Sequence, residues 1–141
     1  MQPVERFREL ERLAGNMTNY QIGDFLIQIK NAAKAKKKDV VTETSKLKLA
    51  VAKVLKSQGY LKEVEEKDGV LTVKLAYDHK EPVLLDLKLV SKPGLRIYVT
   101  ADTLATHKGG SMFIVSTSKG VVALKDALKG GVGGEVIAQI W

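Results

Sequence analysis

The spacing of the apolar residues changes near Gly59, and this change constrains the fold more than any other feature of the chain. Before Gly59, two stretches carry apolar residues at intervals of three and four, the period of an α-helix buried on one side. Their apolar positions are Ile22, Leu26, Ile29 and Ala33 in the first stretch and Leu47, Val51, Val54 and Leu55 in the second. After Gly59, apolar and polar residues alternate over several short segments, as in strands with one buried face. The sequence therefore predicts an α/β (α+β) fold.

Turn signals and alternation predict the individual elements. Asp68-Gly69 is a strong hairpin signal that joins predicted strands over 60–66 and 70–75. Pro93-Gly94 is a second turn signal. The other predicted elements are a helix from Thr18 to the lysines at 36–38, a helix over 44–58, a short helix near 124–128, and strands over 40–41, 85–89, 95–99, 112–115 and 136–141.

The composition changes at the Pro93-Gly94 turn, and glycines become frequent after it. We therefore expect two small domains. Residues 17–90 form an N-terminal helix-strand-helix-meander domain, and residues 91–141 form a small β-rich domain with one short helix. Residues 1–16 are expected to be an N-terminal extension.

The chain is basic, with 23 Lys and Arg against 16 Asp and Glu and a formal net charge of +7. A positive surplus raises the affinity for polyanions, above all for phosphate backbones, without selecting one of them. Three of the cations, Lys36, Lys37 and Lys38, follow the first predicted helix. Two explanations account for them equally well: cations stabilise the negative end of the helix dipole, or they form a patch that faces phosphates.

Several function classes have no support in the sequence. The chain lacks cysteine, which excludes disulfides and thiolate metal sites, and no apolar run approaches the roughly 20 residues that span a bilayer. Neither a P-loop nor a GxGxxG motif between a strand and a helix is present. The two histidines, His79 and His107, have no neighbouring partner set for a triad or a metal site. We expect no enzyme activity, no cofactor, no metal and no membrane association.

The most informative segment is Ser116-Thr117-Ser118-Lys119-Gly120, which follows a predicted buried strand and precedes a turn. Three adjacent hydroxyls offer donors and acceptors together, and they suit the 2′-hydroxyls, base edges and phosphates of RNA. Lys119 adds a cation, and Gly120 permits a close approach of the backbone. The alternative is a Ser/Thr-rich turn whose hydroxyls satisfy their own backbone, which is the more common case.

Five strings in the same order and spacing resemble the family of ribosomal protein number eight of the small subunit, and the likeness covers Met17 to Trp141. The matching strings are GDFLIQIKNA at 23–32, SKLKLAVAKVLKSQGY at 45–60, SKPGLRIY at 91–98, IVSTSKGVV at 114–122 and GGVGGEVIA at 130–138.

The resemblance implies a two-domain α/β protein of cytoplasmic ribosomes that binds the central domain of small-subunit rRNA early in assembly. It also implies contacts with neighbouring ribosomal proteins, and some family members repress their own mRNA. The implied RNA-binding residues are Ser116, Thr117, Ser118, Lys119, Gly120, Gly134 and Glu135 in the C-terminal domain and Lys30 and Asn31 in the first helix.

The chemistry of these residues suggests roles for them. We expect Ser116 and Ser118 to bind bases or ribose, and Thr117 and Lys119 to hold the RNA backbone. A carboxylate such as Glu135 accepts from an exocyclic amine or orients the hydroxyls from behind; we favour orientation because a carboxylate buried near phosphates needs a good partner.

Tyr98 alternates with two apolar residues, Ile97 and Val99, and its exposed face is available for stacking on a base. A plain surface tyrosine in a strand explains it equally well.

The chain departs from the family pattern at three places, one of which is Lys108-Gly109-Gly110-Ser111, where the family has a more hydrophobic Gly-Leu-Gly-like entry to the strand. Residues 1–16 precede Met17, which represents the usual family start. Ala123 stands where the family usually has a threonine before the short helix. The loss of that cap is expected to cost about 1 kcal/mol locally.

Overall fold

The computed structural model describes residues 18–92, 94–100 and 111–141, with side chains from residue 21 onward. The predicted extension at 1–16 lies outside the described residues, as do His107 and the side chain of Thr18. In chain order the elements are α1 (Thr18–Lys34), β1 (Asp39–Glu43), α2 (Lys46–Ser57), β2 (Leu61–Lys67), β3 (Val70–Leu75), β4 (Tyr77–Asp78), β5 (Glu81–Pro82), β6 (Leu87–Leu89), β7 (Tyr98–Val99), β8 (Met112–Thr117), β9 (Gly120–Ala123), α3 (Leu124–Gly130) and β10 (Gly134–Ile140). The predicted mixture of helices and antiparallel sheets is confirmed.

The two long helices bury the apolar stripes that the sequence predicts. Helix α1 buries its whole stripe, and α2 buries all of its own except Leu47, which is half-buried. Helix α2 begins where the Ser45 hydroxyl accepts a hydrogen bond from the Lys48 N–H at 3.1 Å. Beyond its end, Gly59 has a φ of 86°, a left-handed conformation that glycine adopts without steric cost.

The first sheet has the strand order β1-β3-β2, and all of its pairs are antiparallel. Its hairpin turns at Asp68 and Gly69, which both have positive φ (51° and 78°), as a two-residue hairpin turn of type I′ requires. Leu71, Val73 and Leu75 point from β3 into the core.

The second sheet has the strand order β6-β10-β8-β9, and β7 pairs with the start of β10. The large core joins both parts of the chain, because Ile114, Ala138 and Ile140 of this sheet lie in one cluster with residues of α1, α2 and the first sheet. A second cluster lies under α3 and contains Leu124, Ala127 and Val136. Residues of β8 and β10, the strands that carry the predicted site, pack in both clusters.

The strand predicted over 85–89 is wrong in extent and in position. Leu85 is 67% exposed, and only Leu87–Leu89 form a strand, which pairs with β10 of the second sheet instead of continuing the meander. Before it, the N–H groups of Leu85 and Asp86 donate to the Trp141 carbonyl, at 2.8 and 3.2 Å, and the chain makes the unpredicted β4–β5 hairpin. A domain boundary at residues 90/91 stays a prediction.

The strand predicted over 95–99 is also shorter than expected. Leu95 is 62% exposed and exchanges two backbone hydrogen bonds of 2.9 Å with Lys92, which close the turn before Arg96. Only Tyr98 and Val99 pair with β10. Apolar alternation therefore misplaced Leu95, because the local turn and not the sheet fixes its backbone.

Candidate nucleic-acid interface

Residues 116–120, here called the hydroxyl turn, connect β8 to β9. Ser116 and Thr117 end β8, Ser118 and Lys119 are the exposed loop, and Gly120 begins β9 with a φ of 117°. Thr117 and Gly120 are paired across the hairpin. The sequence placed this segment after a buried strand, and the structure confirms that its loop is displayed at the end of a sheet.

The hydroxyls of the turn divide into two kinds. Thr117 Oγ1 donates to the Gly120 carbonyl at 2.8 Å and accepts from the Lys119 N–H at 3.1 Å, so this hydroxyl stabilises the turn itself. The hydroxyls of Ser116 and Ser118 have no hydrogen-bond partner among the described residues. The turn therefore offers two hydroxyls to a ligand and uses the third internally.

Gly134 lies directly against the hydroxyl turn. It is paired with Thr117, and a Cβ built on Gly134 would lie 2.1 Å from the Ser116 carbonyl oxygen and 3.1 Å from the Thr117 Cα. No side chain fits in that space. A glycine at position 134 is therefore required for β10 to come this close to the backbone of the turn. This close approach fixes the position of Ser116.

Tyr98, Glu135 and Ser116 form one row across three strands. Glu135 of β10 is in register with Tyr98 of β7 on one side and with Ser116 of β8 on the other, and residues opposite one another project from the same face of a sheet. Glu135 is 8% exposed, whereas Tyr98 is 66% exposed. The row brings together three predicted residues that are far apart in the sequence.

Sequence reasoning missed Ser91, which attaches β7 to the sheet. Its buried hydroxyl donates to the Val136 carbonyl at 2.6 Å and accepts from the Ile97 N–H at 2.9 Å. The Ile97 carbonyl in turn accepts from the Val136 N–H. These bonds hold Tyr98 beside Glu135. No local pattern signals this role, because Val136 is 45 positions away in the chain.

Lys30 and Asn31 lie away from the hydroxyl turn. Lys30 Nζ is 3.3 Å from Asp86 Oδ1. The Asp86 N–H donates to the carbonyl of Trp141. Trp141 follows the last residue of β10, whereas Gly134 is the first residue of that strand. Because β10 runs between these two places, its length implies that Lys30 lies about 20 Å from the hydroxyl turn. Asn31 is exposed on the same helix. The predicted site residues therefore lie in two separate groups in the structure.

Asp86 is the electrostatic centre of this second group. The hydrogen bond from the Leu87 N–H to its Oδ1, at 2.8 Å, has the largest effect on the Asp86 carboxyl and lowers its pKa below the ordinary value. Desolvation opposes this hydrogen bond by a smaller amount, and the nearby Lys30 and Lys34 add still smaller contributions that lower the pKa. Lys34 Nζ lies 3.8 Å from the same oxygen.

The described residues contain no cluster of three or more His, Cys, Asp or Glu side chains that could hold a metal. His79 is an exposed turn residue whose Nε2 lies 3.4 Å from Asp78 Oδ1, as expected for a solvent-exposed histidine. Among the described helices, none combines the length and apolar character needed to span a membrane.

Comparison with known proteins assigns the family. The family model described as ribosomal protein S8 matches residues 20–141. The small ribosomal subunit protein uS8 of Geobacter metallireducens is 45% identical over 126 residues, which cover 85% of this chain and 96% of the relative. The proteins of the same name from Ruminiclostridium cellulolyticum and Caldanaerobacter subterraneus subsp. tengcongensis are 43% and 44% identical over the same 85% of this chain, and over 95% and 96% of their own lengths. The chain therefore belongs to the ribosomal protein S8 family, whose members are structural, non-enzymatic proteins of the small ribosomal subunit.

Proposed function

We propose that this chain binds the central domain of small-subunit rRNA directly and early in assembly, with the hydroxyl turn as its specific contact. As a family member it is a structural component of the ribosome, and its partners are rRNA and ribosomal proteins. The central domain as the target, the order of binding and the residues that bind are the parts that are proposed.

The observation that carries the proposal is the pair of unpartnered hydroxyls on Ser116 and Ser118, displayed next to Lys119 on a turn that Thr117 closes. A turn that is already ordered loses little conformational entropy on binding. Hydroxyls at fixed positions match the 2′-hydroxyls and base edges of a distorted RNA minor groove. Ser116 and Ser118 therefore read bases or ribose in this proposal, and Lys119 holds a phosphate.

Glu135 acts as a positioning residue in this proposal. Its carboxylate is nearly buried and lies beside Ser116 in the row across the sheet. A buried carboxylate near phosphates is unfavourable unless it is well paired within the protein. This burial favours orientation of the turn from behind over direct contact with an exocyclic amine.

Tyr98 extends the proposed surface at the edge of the sheet. Its exposed ring lies next to Glu135 in register and is accessible to an unstacked base. Lys30 and Asn31 belong to a separate contact of the N-terminal part, because they lie at the other end of β10. The division into domains 17–90 and 91–141 is likewise part of the proposal, with the specific contact in the second domain.

The test measures binding of the purified chain to a transcript of the rRNA central domain and to a scrambled transcript of equal length, over a series of salt concentrations. Specific recognition predicts tighter binding to the native transcript at every salt concentration, because hydrogen bonds to bases and ribose depend less on salt than phosphate contacts do. Equal binding to both transcripts, lost in parallel as salt rises, would show that the chain binds RNA only through nonspecific charge and would contradict the proposal.

Repression of its own mRNA is a second proposed role of the same surface. It requires the mRNA to present the structure that the hydroxyl turn binds in rRNA. The mRNA would then compete with the central-domain transcript for the wild-type chain, whereas a Ser116→Ala/Ser118→Ala variant would bind both RNAs more weakly by the same factor.

A further inference from the structure

An open groove of about 830 Å³ lies where the first sheet and the β4–β5 hairpin meet the end of α1. We call it the lysine groove. Its charged lining residues are five lysines and one aspartate: Lys36, Lys38, Lys62, Lys74, Lys80 and Asp39. Tyr77 also lines it and donates its hydroxyl hydrogen to the backbone carbonyl of Lys37. Residues from three parts of the chain therefore place cations around one depression.

The cations of the groove are only partly neutralised. Lys36 pairs with Glu81 at 3.1 Å and Lys74 pairs with Glu63 at 3.3 Å. Within the described residues, Lys38, Lys62 and Lys80 have no carboxylate within ion-pair distance. Counting both glutamates with Asp39, five cations face three carboxylates, and the groove is positive.

Two of the lysines occupy backbone conformations that suit glycine. Lys36 has a φ of 55° and Lys80 a φ of 70°, and His79 beside Lys80 has a φ of 49°. His79 and Lys80 are the two central residues of the β4–β5 hairpin, a turn that requires positive φ at both positions, where glycine or asparagine is the usual residue. A lysine where glycine would be more stable suggests that its charge is used.

The groove is connected to the Trp141 end of β10, which is the end away from the hydroxyl turn. The Ala76 carbonyl at its edge accepts from the Val83 N–H, and the Leu85 N–H donates to the carbonyl of Trp141. Trp141 follows the end of β10, whereas Gly134 at the start of β10 contacts the turn. An RNA helix bound at the turn therefore leaves the groove open to another segment.

We propose that the lysine groove binds the phosphate backbone of a second RNA segment, without reading its sequence. Lysine heads act as point charges toward phosphate, and unpaired cations spaced around an open groove suit a repeating anion. The inference rests on the proposed rRNA function for the identity of the polyanion. It adds a contact that neither the hydroxyl turn nor Lys30 and Asn31 provide.

The first test uses an RNA duplex of unrelated sequence as the probe, so that specific recognition does not contribute. Lys38→Ala/Lys62→Ala is compared with Lys53→Ala/Lys56→Ala, which removes the same charge from exposed positions of α2. Each phosphate-binding lysine contributes about one to the slope of log affinity against log salt. The groove variant should lower that slope by about two and the control variant should leave it near the wild-type value. Equal slopes for the two variants would overturn the inference.

The second test is lysine acetylation of the full chain, free and bound to the central-domain transcript, read by mass spectrometry. Lys38, Lys62 and Lys80 should be protected in the complex, and Lys53 and Lys56 should react as in the free chain. Protection that appears only in assembled subunits, and not with the transcript, would point to an acidic protein partner and contradict the RNA assignment.

Lys80→Gly separates binding from stability. The substitution removes a cation and relieves the left-handed backbone, so the melting temperature should stay or rise while duplex affinity falls. An unchanged affinity would overturn the role of Lys80. A failure of the proposed rRNA function would look different, because the native and scrambled transcripts would then bind alike while these groove variants still weakened duplex binding.

Discussion

Gly134 and Glu135 occupy adjacent positions at the start of β10 for different physical reasons. The resemblance to the family names both as RNA-binding residues, whereas their surroundings in the fold are those of supporting residues. Gly134 is required by the Ser116 carbonyl that lies against it, and Glu135 is nearly buried beside Ser116. In the proposed function, their effect on RNA therefore passes through the position of the hydroxyl turn.

The first prediction concerns Gly134→Ala. The added Cβ meets the Ser116 carbonyl oxygen at 2.1 Å, so the backbone of the turn must shift, and we expect a loss of about 2 kcal/mol in the free energy of unfolding. Urea denaturation measures it. Gly130→Ala is the matched control, because its Cβ would meet only Val132 Cγ2 at an ordinary 3.7 Å. Equal stabilities for the two variants would contradict the close approach.

A second prediction concerns Asp86 and its lysines. The folded state lowers the pKa of this carboxyl, so ionised Asp86 stabilises the fold at pH values above its unfolded pKa, and this contribution is lost as pH falls through the folded pKa. Asp86→Asn keeps an acceptor for the Leu87 N–H and removes the charge. The difference in melting temperature between wild type and variant should be largest near neutral pH and should shrink under acid. A difference independent of pH would show that the charge contributes nothing.

At the scale of elements, the sequence predicted correctly those helices and turns that are determined by residues close together in the chain. The two long helices follow from apolar spacing, and the β2–β3 hairpin follows from Asp68-Gly69. Strands β6 and β7 were misplaced in extent because their pairing partner, β10, lies more than thirty residues away and no short pattern encodes that pairing. The same reason hid Ser91, whose hydroxyl donates to the Val136 carbonyl of β10 and accepts from the Ile97 N–H. Sequence order thus placed the hydroxyl turn correctly but gave no sign of the row that supports it.

Helix α3 lacks a side-chain cap, and this gives a third prediction. Ala123 is its N-cap, in extended conformation (φ −75°, ψ 155°), with no side-chain hydrogen bond to the helix. Ala123→Ser supplies an acceptor for the first-turn N–H groups and should raise the free energy of unfolding by about 1 kcal/mol. Ser45→Ala, which removes the existing cap of α2, should lower it by a similar amount. Chemical denaturation checks both, and a destabilised Ala123→Ser would mean that the buried site has no room for the hydroxyl.

At the scale of the whole molecule, the chain presents two surfaces with different chemistry. The hydroxyl turn offers neutral donors and acceptors next to one lysine, whereas the lysine groove offers unpaired cations. Base and ribose contacts specify an RNA, and phosphate contacts position it. The two surfaces should therefore be separable by mutation. Sequence alone suggested the first through the resemblance, but the second needs the fold, because Lys36, Lys62 and Lys80 are distant in the chain.

The most direct measurement is the ratio of affinities for the native and the scrambled central-domain transcript in two variants, with the wild-type chain as reference. In Ser116→Ala/Ser118→Ala the ratio should fall by at least tenfold, as expected when two hydrogen bonds worth about 1 kcal/mol each are lost, while the salt slope stays unchanged. In Lys38→Ala/Lys62→Ala the ratio should hold while the slope drops. An unchanged ratio in the serine variant would contradict the central claim that the hydroxyl turn reads the RNA.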